Sequence, residues 1–262
     1  MDPDDQPVQW LLSGAPAGLA EEIVYRGVFP EYDPAEDMAE LDVAELATEE
    51  DFENYAGVES AQEVSDELER LRAAGHLRRF ESLHAAQDFI YTEAKSHAPG
   101  KTRSELTIVL SRLALIKKIR YGKTKLRLVV DSKRSRVSKA TRKFERVTLP
   151  RVTDAVQDAL ELLASILRAD PEADLNNWFE FFVTDFKDAF FQIPLAAAER
   201  HFFVVCHQGK YFIALKTVQG SRQAPLTWAR LVALVTRLTQ SVLGTSGRMS
   251  TYVDDPLTCL AE

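Results

Sequence analysis

Apolar residues recur at helical spacing in three stretches of the chain, and each stretch predicts an amphipathic helix. The first begins at Val64 and is stopped by Gly75, and the third opens at Pro225 and is closed by Gly244. Glycine at a helix end is favoured because it adopts positive φ without strain. The three faces are Val64, Leu68 and Leu71; Val152, Val156, Leu160, Leu163 and Leu167; and Leu231, Leu234, Val235, Leu238 and Val242. We expect the second face to belong to the core.

Short runs of β-branched and aromatic residues predict strands. Residues 126–130 form one such run, and residues 178–184 form another that leads directly into Asp185. Residues 202–205 and 211–215 flank a short polar turn and therefore predict a hairpin. The order of strand, hairpin, helix and strand favours an α+β fold in which an antiparallel sheet is covered by helices.

Two breaks in the chain indicate its domain organisation. Gly75 ends the first predicted helix, and Pro99–Gly100 interrupts the chain again. We place the main boundary between these two signals. Residues 1–75 are predicted to be an acidic, mainly helical lead-in that is partly disordered, and residues 76–262 to be the second, folded unit.

The composition indicates a globular protein. It is 45% hydrophobic and 27% charged, which excludes wholesale disorder and fibrous folds. No apolar run reaches the roughly 18 residues that span a bilayer, so no membrane partner is expected. The start of the chain is acidic, unlike a secretory signal, and Cys206 and Cys259 lack metal-ligand spacing. We therefore expect an intracellular protein, in the cytoplasm or the nucleus.

Charge is distributed very unevenly along the chain. The net charge is −8, yet residues 1–100 carry −18, residues 101–150 carry +13 and the remainder carries −3. Attraction to phosphate depends on where positive charge lies and not on its sum over the chain. The acidic whole-chain pI of 5.3 consequently does not exclude a nucleic-acid partner.

Three acidic residues follow predicted strands. Asp185 ends one apolar run, and Tyr252–Val253 leads into the adjacent pair Asp254 and Asp255. A lone acid at a strand end is usually a turn residue, whereas two adjacent carboxylates repel each other unless a cation neutralises them. Mg²⁺ prefers carboxylate oxygens together with substrate phosphates, and two such ions can serve a phosphoryl transfer. The three acids are therefore candidate metal ligands.

Several motifs resemble, in order, those of reverse transcriptases from retroelements. They are residues 182–195 (FVTDFKDAFFQIPL), 219–225 (QGSRQAP) and 252–255 (YVDD). Upstream, residues 125–131 (KLRLVVD) and 146–151 (RVTLPR) look like the fingers region of these enzymes. The similarity spans roughly the last 160 residues of the chain, and a weaker likeness extends it towards the N-terminus.

The resemblance implies a catalytic role for the three acids. Asp185, Asp254 and Asp255 would be the catalytic carboxylates that bind two Mg²⁺ ions, with Mn²⁺ as a possible substitute. Phe190, five residues after the first acid, would be the steric gate that excludes a ribose 2′-hydroxyl. The alternative for Phe190 is a plain core aromatic, since phenylalanines surround it.

The resemblance also implies residues that bind the nucleotide. Arg127 would clamp the triphosphate, because a guanidinium matches phosphate oxygens in a bidentate way. Lys123 and Lys125 are neighbouring candidates, although a solvated basic face is equally expected for each of them alone. Gln219 and Gly220 match a segment that lies under the incoming nucleotide and the template base.

As a whole, the resemblance implies the fingers and palm of a right-hand polymerase, formed by residues 76–262. The activity would be RNA-directed DNA polymerisation, with deoxynucleotides (dNTPs) added to a primer 3′-hydroxyl on an RNA or DNA template. Only seven residues follow Asp255, so we expect the thumb and RNase H regions to be absent. The alternative is a truncated, catalytically silent remnant that at most binds nucleic acid. An RNA-templated RNA polymerase is a third possibility, and Phe190 argues against it.

Overall fold

The structure is a computed structural model that describes residues 2–33, 35, 39–97, 100–120, 123–174 and 179–261. For residues 120 and 123–125 it describes the backbone only. The helices are α1 (Gln6–Ser13), α2 (Gln62–Ala73), α3 (Leu83–His97), α4 (Val137–Ala140), α5 (Val152–Ala169) and α6 (Ala224–Leu243). The strands are β1 (Leu77–Phe80), β2 (Arg112–Arg120), β3 (Lys123–Asp131), β4 (Phe179–Val183), β5 (Val204–His207), β6 (Lys210–Ala214), β7 (Gly247–Tyr252) and β8 (Asp255–Ala261).

The fold is a mixture of helices and small antiparallel sheets. The described strands form a three-stranded sheet in the order β1-β6-β5, the long hairpin β2-β3, and a three-stranded sheet in the order β4-β8-β7. Helices α5 and α6 both pack against the last sheet. No helix in the described part of the chain is both long and apolar enough to cross a membrane.

Two of the predicted helices are confirmed. Helix α2 buries the expected face of Val64, Leu68 and Leu71, and the chain turns at Gly75 with φ of +76°. Helix α6 begins with a proline in its first turn and ends at Gly244, but Leu238 and Val242 of its predicted face are exposed. The predicted hairpin is also present as β5 and β6. Local signals located these elements because their caps and periodicity are read within one segment.

Helix α5 forms as predicted, but the prediction that its main apolar face lies in the core is wrong. Val152 is 82% exposed and Leu160 is 60% exposed. The helix instead buries Ala159 and Leu162. Periodicity shows that a helix has an apolar face, but the neighbouring elements decide which part of that face is covered.

The N-terminal region is not mainly helical, which corrects the expectation for residues 1–75. Its described helical parts are α1, α2, the single residue Ala35 and a 3₁₀ turn at Val43–Glu45. The region nevertheless joins the core, because Trp10, Ala15 and Ile23 pack with Trp228 and other residues of helix α6. Burial against the rest of the chain, and not helix formation, therefore orders these residues.

A buried arginine ties the N-terminus to the C-terminal part of the chain. The side chains of Arg230, Asp4 and Glu145 are fully buried. Arg230 Nε donates to Asp4 at 2.7 Å, and its Nη1 donates to Glu145 at 3.2 Å and to the Val24 carbonyl at 3.0 Å. Its Nη2 donates to Asp4 and Gln6. All five donors of the guanidinium are thus satisfied, as a buried charge requires.

A second buried acid, Glu199, also binds the N-terminal region through hydrogen bonds. Its carboxylate accepts hydrogen bonds from the backbone N–H groups of Ala17, Leu19, Ala20 and Glu21. Burial raises the pKa of Glu199, while these four donors act in the opposite direction. The loop after α1 is therefore held at several consecutive amides.

We predict that Asp4→Asn destabilises the protein far more than Asp2→Asn. Asparagine at position 4 keeps the shape but offers one acceptor oxygen to the two N–H groups that Asp4 binds, so a buried Arg230 donor loses its partner at a cost of about 3 kcal/mol. Asp2 pairs with Arg237 at 2.7 Å in a partly exposed position, so its loss should cost about 1 kcal/mol or less. Urea unfolding of both variants measures the difference, and equal losses would contradict the role given to the buried network.

We also predict acid sensitivity from His201. This side chain is 2% exposed and lies against Phe202, and burial lowers its pKa to about 4. Because the unfolded state binds the proton first, this contribution to stability is present above pH 6.5 and is lost as the pH falls towards 4. From pH 7 to pH 5 the free energy of unfolding should fall by about 2 kcal/mol more in the natural chain than in His201→Leu. Parallel pH profiles of the two proteins would refute this.

Candidate functional site

The backbone brings Asp185 directly opposite Asp255. Strand β4 pairs with β8 so that Val183 lies opposite Leu257. The pairing continues beyond β4, because the N–H of Thr184 donates to the Pro256 carbonyl at 3.0 Å and that of Phe186 to the Asp254 carbonyl at 2.9 Å. Asp185 and Asp255 therefore hold the position of a non-hydrogen-bonded pair, in which Cα atoms are typically about 4.5 Å apart and the side chains leave from the same face.

The carboxylates at this strand end have no partner in the part of the chain that the structure describes. Asp185 and Asp255 are exposed and Asp254 is half-buried. Within the described residues, none of the three side chains makes a hydrogen bond or an ion pair. An all-oxygen donor set of this kind suits Mg²⁺. The chemistry of the residues therefore fits the metal that the sequence predicts.

The three carboxylates do not, however, form a completed metal cluster. Among the residues that the structure describes, no group of three or more His, Cys, Asp or Glu side chains is placed to hold a metal ion. Like charges favour orientations in which the carboxylates point apart. The metal-binding role of Asp185, Asp254 and Asp255 stays a prediction.

The turn that carries Asp254 is strained and anchored. Strands β7 and β8 are joined by Val253 and Asp254, and of these two only Val253 has positive φ, at +59°. This pattern is typical of a type II′ turn, in which glycine is the usual residue at the first central position. The indole N–H of the buried Trp228 donates to the Val253 carbonyl at 2.7 Å. Helix α6 thereby fixes the turn against the core.

Phe190 lies beside the same tryptophan. It belongs to a 3₁₀ turn, Ala189–Gln192, and its ring is 6.5 Å from that of Trp228 in a tilted, edge-on arrangement. The Thr217 hydroxyl donates to the Phe190 carbonyl. The ring is only partly buried, so the structure gives it a core contact and leaves part of it accessible. Its role as a gate stays a prediction.

Gln219 and Gly220 are exposed and lie against the base of the long hairpin. Gly220 has φ of +104°, and a Cβ atom there would be 3.2 Å from the Val130 carbonyl. The Ser132 hydroxyl donates to the Gly220 carbonyl at 2.8 Å. Glycine is needed here for close backbone approach. Contact of this segment with a nucleotide remains a prediction.

The predicted cations lie on the long hairpin. Arg127 is exposed on β3, opposite Ile116 of β2, and makes no ion pair with another described residue. Lys123 and Lys125 belong to β3, but their side chains lie outside the described residues. That these cations share a cleft with Asp185 stays a prediction.

Two further residues near the site were missed by the sequence analysis. Arg70 of α2 forms an ion pair with Asp188 at 3.1 Å, and Asp188 has φ of +52°. His76 stacks on Phe191 with ring centres 4.9 Å apart, and burial lowers its pKa. More than 100 residues separate the partners in each pair, and no local pattern could have indicated them. Helix α2 therefore supports the segment that follows Asp185.

Comparison with known proteins adds little. No protein-family profile matches the chain, and no curated protein is similar to it in sequence. Among solved structures, it is similar to a foamy viral protease-reverse transcriptase in complex with double-stranded DNA. The TM-score is 0.43 and the sequence identity 18%, over 81% of this chain. The chain spans 27% of the length of that protein, and so weak a likeness assigns no function.

Proposed function

We propose that the chain is the fingers and palm part of an RNA-directed DNA polymerase of a retroelement. It would add dNTPs to a primer 3′-hydroxyl, with Mg²⁺ held at Asp185, Asp254 and Asp255. The proposal is supported by the motifs around these acids and by the position of Asp185 in the sheet.

The pairing of Asp185 with Asp255 is the observation that carries the proposal. The two residues are 70 positions apart in sequence, yet they lie opposite each other at the end of β4 and β8. A solvated turn residue has no need of a second acid across the strand pair, where like charges cost free energy. A divalent cation bound between the two carboxylates would remove this repulsion, because both would then serve as its ligands.

The chain's own residues would position the reactants. Bound Mg²⁺ would neutralise charge on the attacking and leaving oxygens of the phosphoryl transfer. Trp228 would hold the Val253 turn, and with it Asp254, in a fixed place. Arg127 would contact the triphosphate, and Phe190 would close the space beside the ribose.

The second candidate function is nucleic-acid binding without catalysis. It is favoured by the absence of a completed three-carboxylate cluster in the described part of the chain. In this case the basic residues of 101–150 would bind phosphate, and the acids would have no role in metal binding. Metal binding by the chain separates the two functions.

We expect Mn²⁺, as a paramagnetic substitute for Mg²⁺, to bind the chain with an affinity that depends on Asp185. Asp185→Asn and Asp255→Asn should each weaken Mn²⁺ binding at least about tenfold, because an amide keeps the shape and loses the charge. Electron paramagnetic resonance of free Mn²⁺ measures this without any need for turnover. Asp188→Asn is the matched control, since Asp188 already pairs with Arg70. If all three variants bind Mn²⁺ like the natural chain, the site assignment is wrong.

A second prediction concerns the choice of sugar. Phe190→Ala should leave incorporation of a single dNTP nearly unchanged and should allow ribonucleotide incorporation, because it removes a clash and not a ligand. Single-turnover primer extension with the protein in excess measures both rates. Asp185→Asn should abolish incorporation of either nucleotide. If the natural chain binds primer-template and Mn²⁺ but incorporates nothing, the silent alternative is favoured.

A further inference from the structure

A rigid turn at residues 132–141, here called the basic turn, displays four cations. Lys133, Arg134, Arg136 and Lys139 are all exposed, and the turn contains no acid. Its hydroxyl groups point inward instead. The Ser132 and Ser138 hydroxyls are 2.8 Å apart, and the Ser111 hydroxyl donates to Ser135 at 2.8 Å. The polar interior fixes the turn, so its positive charge is concentrated on the outer side.

An acidic segment at residues 40–49, here called the acidic strap, lies along this turn. It carries four acids and no base, which matches the four cations of the basic turn. The N–H of Glu40 donates to the Lys139 carbonyl at 2.9 Å. Val43 and Leu46 pack against the core cluster that contains Val137 of the turn. The strap is therefore held by its backbone and apolar side chains, independently of its charges.

The acids of the strap face the cations of the turn and of its surroundings. Glu49 pairs with Arg134 at 3.0 Å and also with Arg112, and Glu45 pairs with Arg136 at 3.9 Å. Most of these side chains are substantially exposed, and exposed ion pairs contribute little to stability. A phosphate can therefore replace the carboxylate in such an ion pair at a small cost in free energy. Until it does, the negative charge of the strap carboxylates opposes the approach of a polyanion.

The covered surface borders the candidate site. The Ser132 hydroxyl donates to the Gly220 carbonyl, as described above, and Arg222 Nη1 donates to the Ser138 carbonyl at 2.9 Å. Arg222 is also 4.0 Å from Glu40 of the strap. A nucleic acid that reaches Gln219 and Gly220 would consequently lie beside the basic turn and its acidic partner.

We propose that the acidic strap is a built-in competitor of nucleic acid on the basic turn. Its carboxylates occupy the positions of backbone phosphates and lower the affinity of the chain until a nucleic acid exchanges with them. The inference rests on the proposed function only for the identity of the polyanion.

The test compares two variants of equal net charge. Glu40→Gln/Glu45→Gln/Glu49→Gln removes the charges of the strap and leaves its anchors, Val43 and Leu46, intact. The control, Glu63→Gln/Glu161→Gln/Glu172→Gln, changes three exposed acids outside the strap. The probe is a fluorescein-labelled RNA–DNA hybrid of about 20 base pairs, slightly longer than the roughly 16 base pairs that a double-stranded RNA-binding domain spans. Fluorescence anisotropy measures its binding to each protein over a range of salt concentrations.

We expect the strap variant to bind the hybrid at least about tenfold more tightly at low salt, with a steeper salt dependence. The slope of log K against log salt should become more negative by at least about 2, since Arg134 and Arg136 of the basic turn become available to phosphate, and Arg112 and Arg222 also lose an acidic partner. The control should stay within about twofold of the natural chain. In an Arg134→Gln/Arg136→Gln background, the strap substitutions should have a clearly smaller effect, because only Arg112 and Arg222 then lose an acidic partner.

Three results would overturn the proposal. Equal gains in the strap variant and the control would show that only net charge matters. If the strap variant binds the hybrid with unchanged affinity while the natural chain binds it with a steep salt dependence, the competitor role of the strap is refuted and the proposed function is not. If none of the proteins binds the hybrid at any salt concentration, the proposed function fails together with the strap.

Discussion

The guanidinium of Arg230 is the interaction on which the rest of the structure depends. It is fully buried, and its five donors reach Asp4, Gln6, the Val24 carbonyl and Glu145. A buried charge is tolerated only when such a set is complete. The requirement draws the first residues of the chain and the segment around Glu145 onto helix α6. The same helix carries Trp228, whose indole N–H holds the Val253 turn. Helix α6 therefore connects the buried ion-pair network to the candidate site.

The candidate site itself follows from the register of one strand pair. A shift of one residue between β4 and β8 would place Asp185 and Asp255 on opposite faces of the sheet. The hydrogen bonds of Thr184 and Phe186 fix that register beyond the end of the strand. The positive φ of Val253 strains the backbone of the adjoining turn. Strained backbone of this kind is concentrated at functional sites in proteins. The arrangement is therefore specific in its backbone, while the three carboxylates make no hydrogen bond or ion pair with another described residue.

Charge organises the surface that borders the candidate site. The acidic stretch and the basic stretch of the sequence do not form separate surfaces, because the acidic strap (residues 40–49) lies against the basic turn (residues 132–141). Each ion pair between them is weak in water, but their summed field lowers the positive potential that a polyanion meets. Net charge counted along the chain would suggest a basic surface open to solvent, whereas the fold places acids against one part of that surface, the basic turn.

The sequence by itself determined the local features of this protein. Caps and periodicity located α2 and α6, and the run before Asp185 together with the Asp254–Asp255 pair identified the strand ends that meet. Only the tertiary structure decided which apolar faces are covered, as the exposed Val152 and Leu160 show. It alone decided the partners of Arg230, because Asp4 lies more than 200 residues away and no local pattern records such a contact. Short-range signals reflect backbone preference, whereas burial and ion pairing depend on neighbours that only the folded chain supplies.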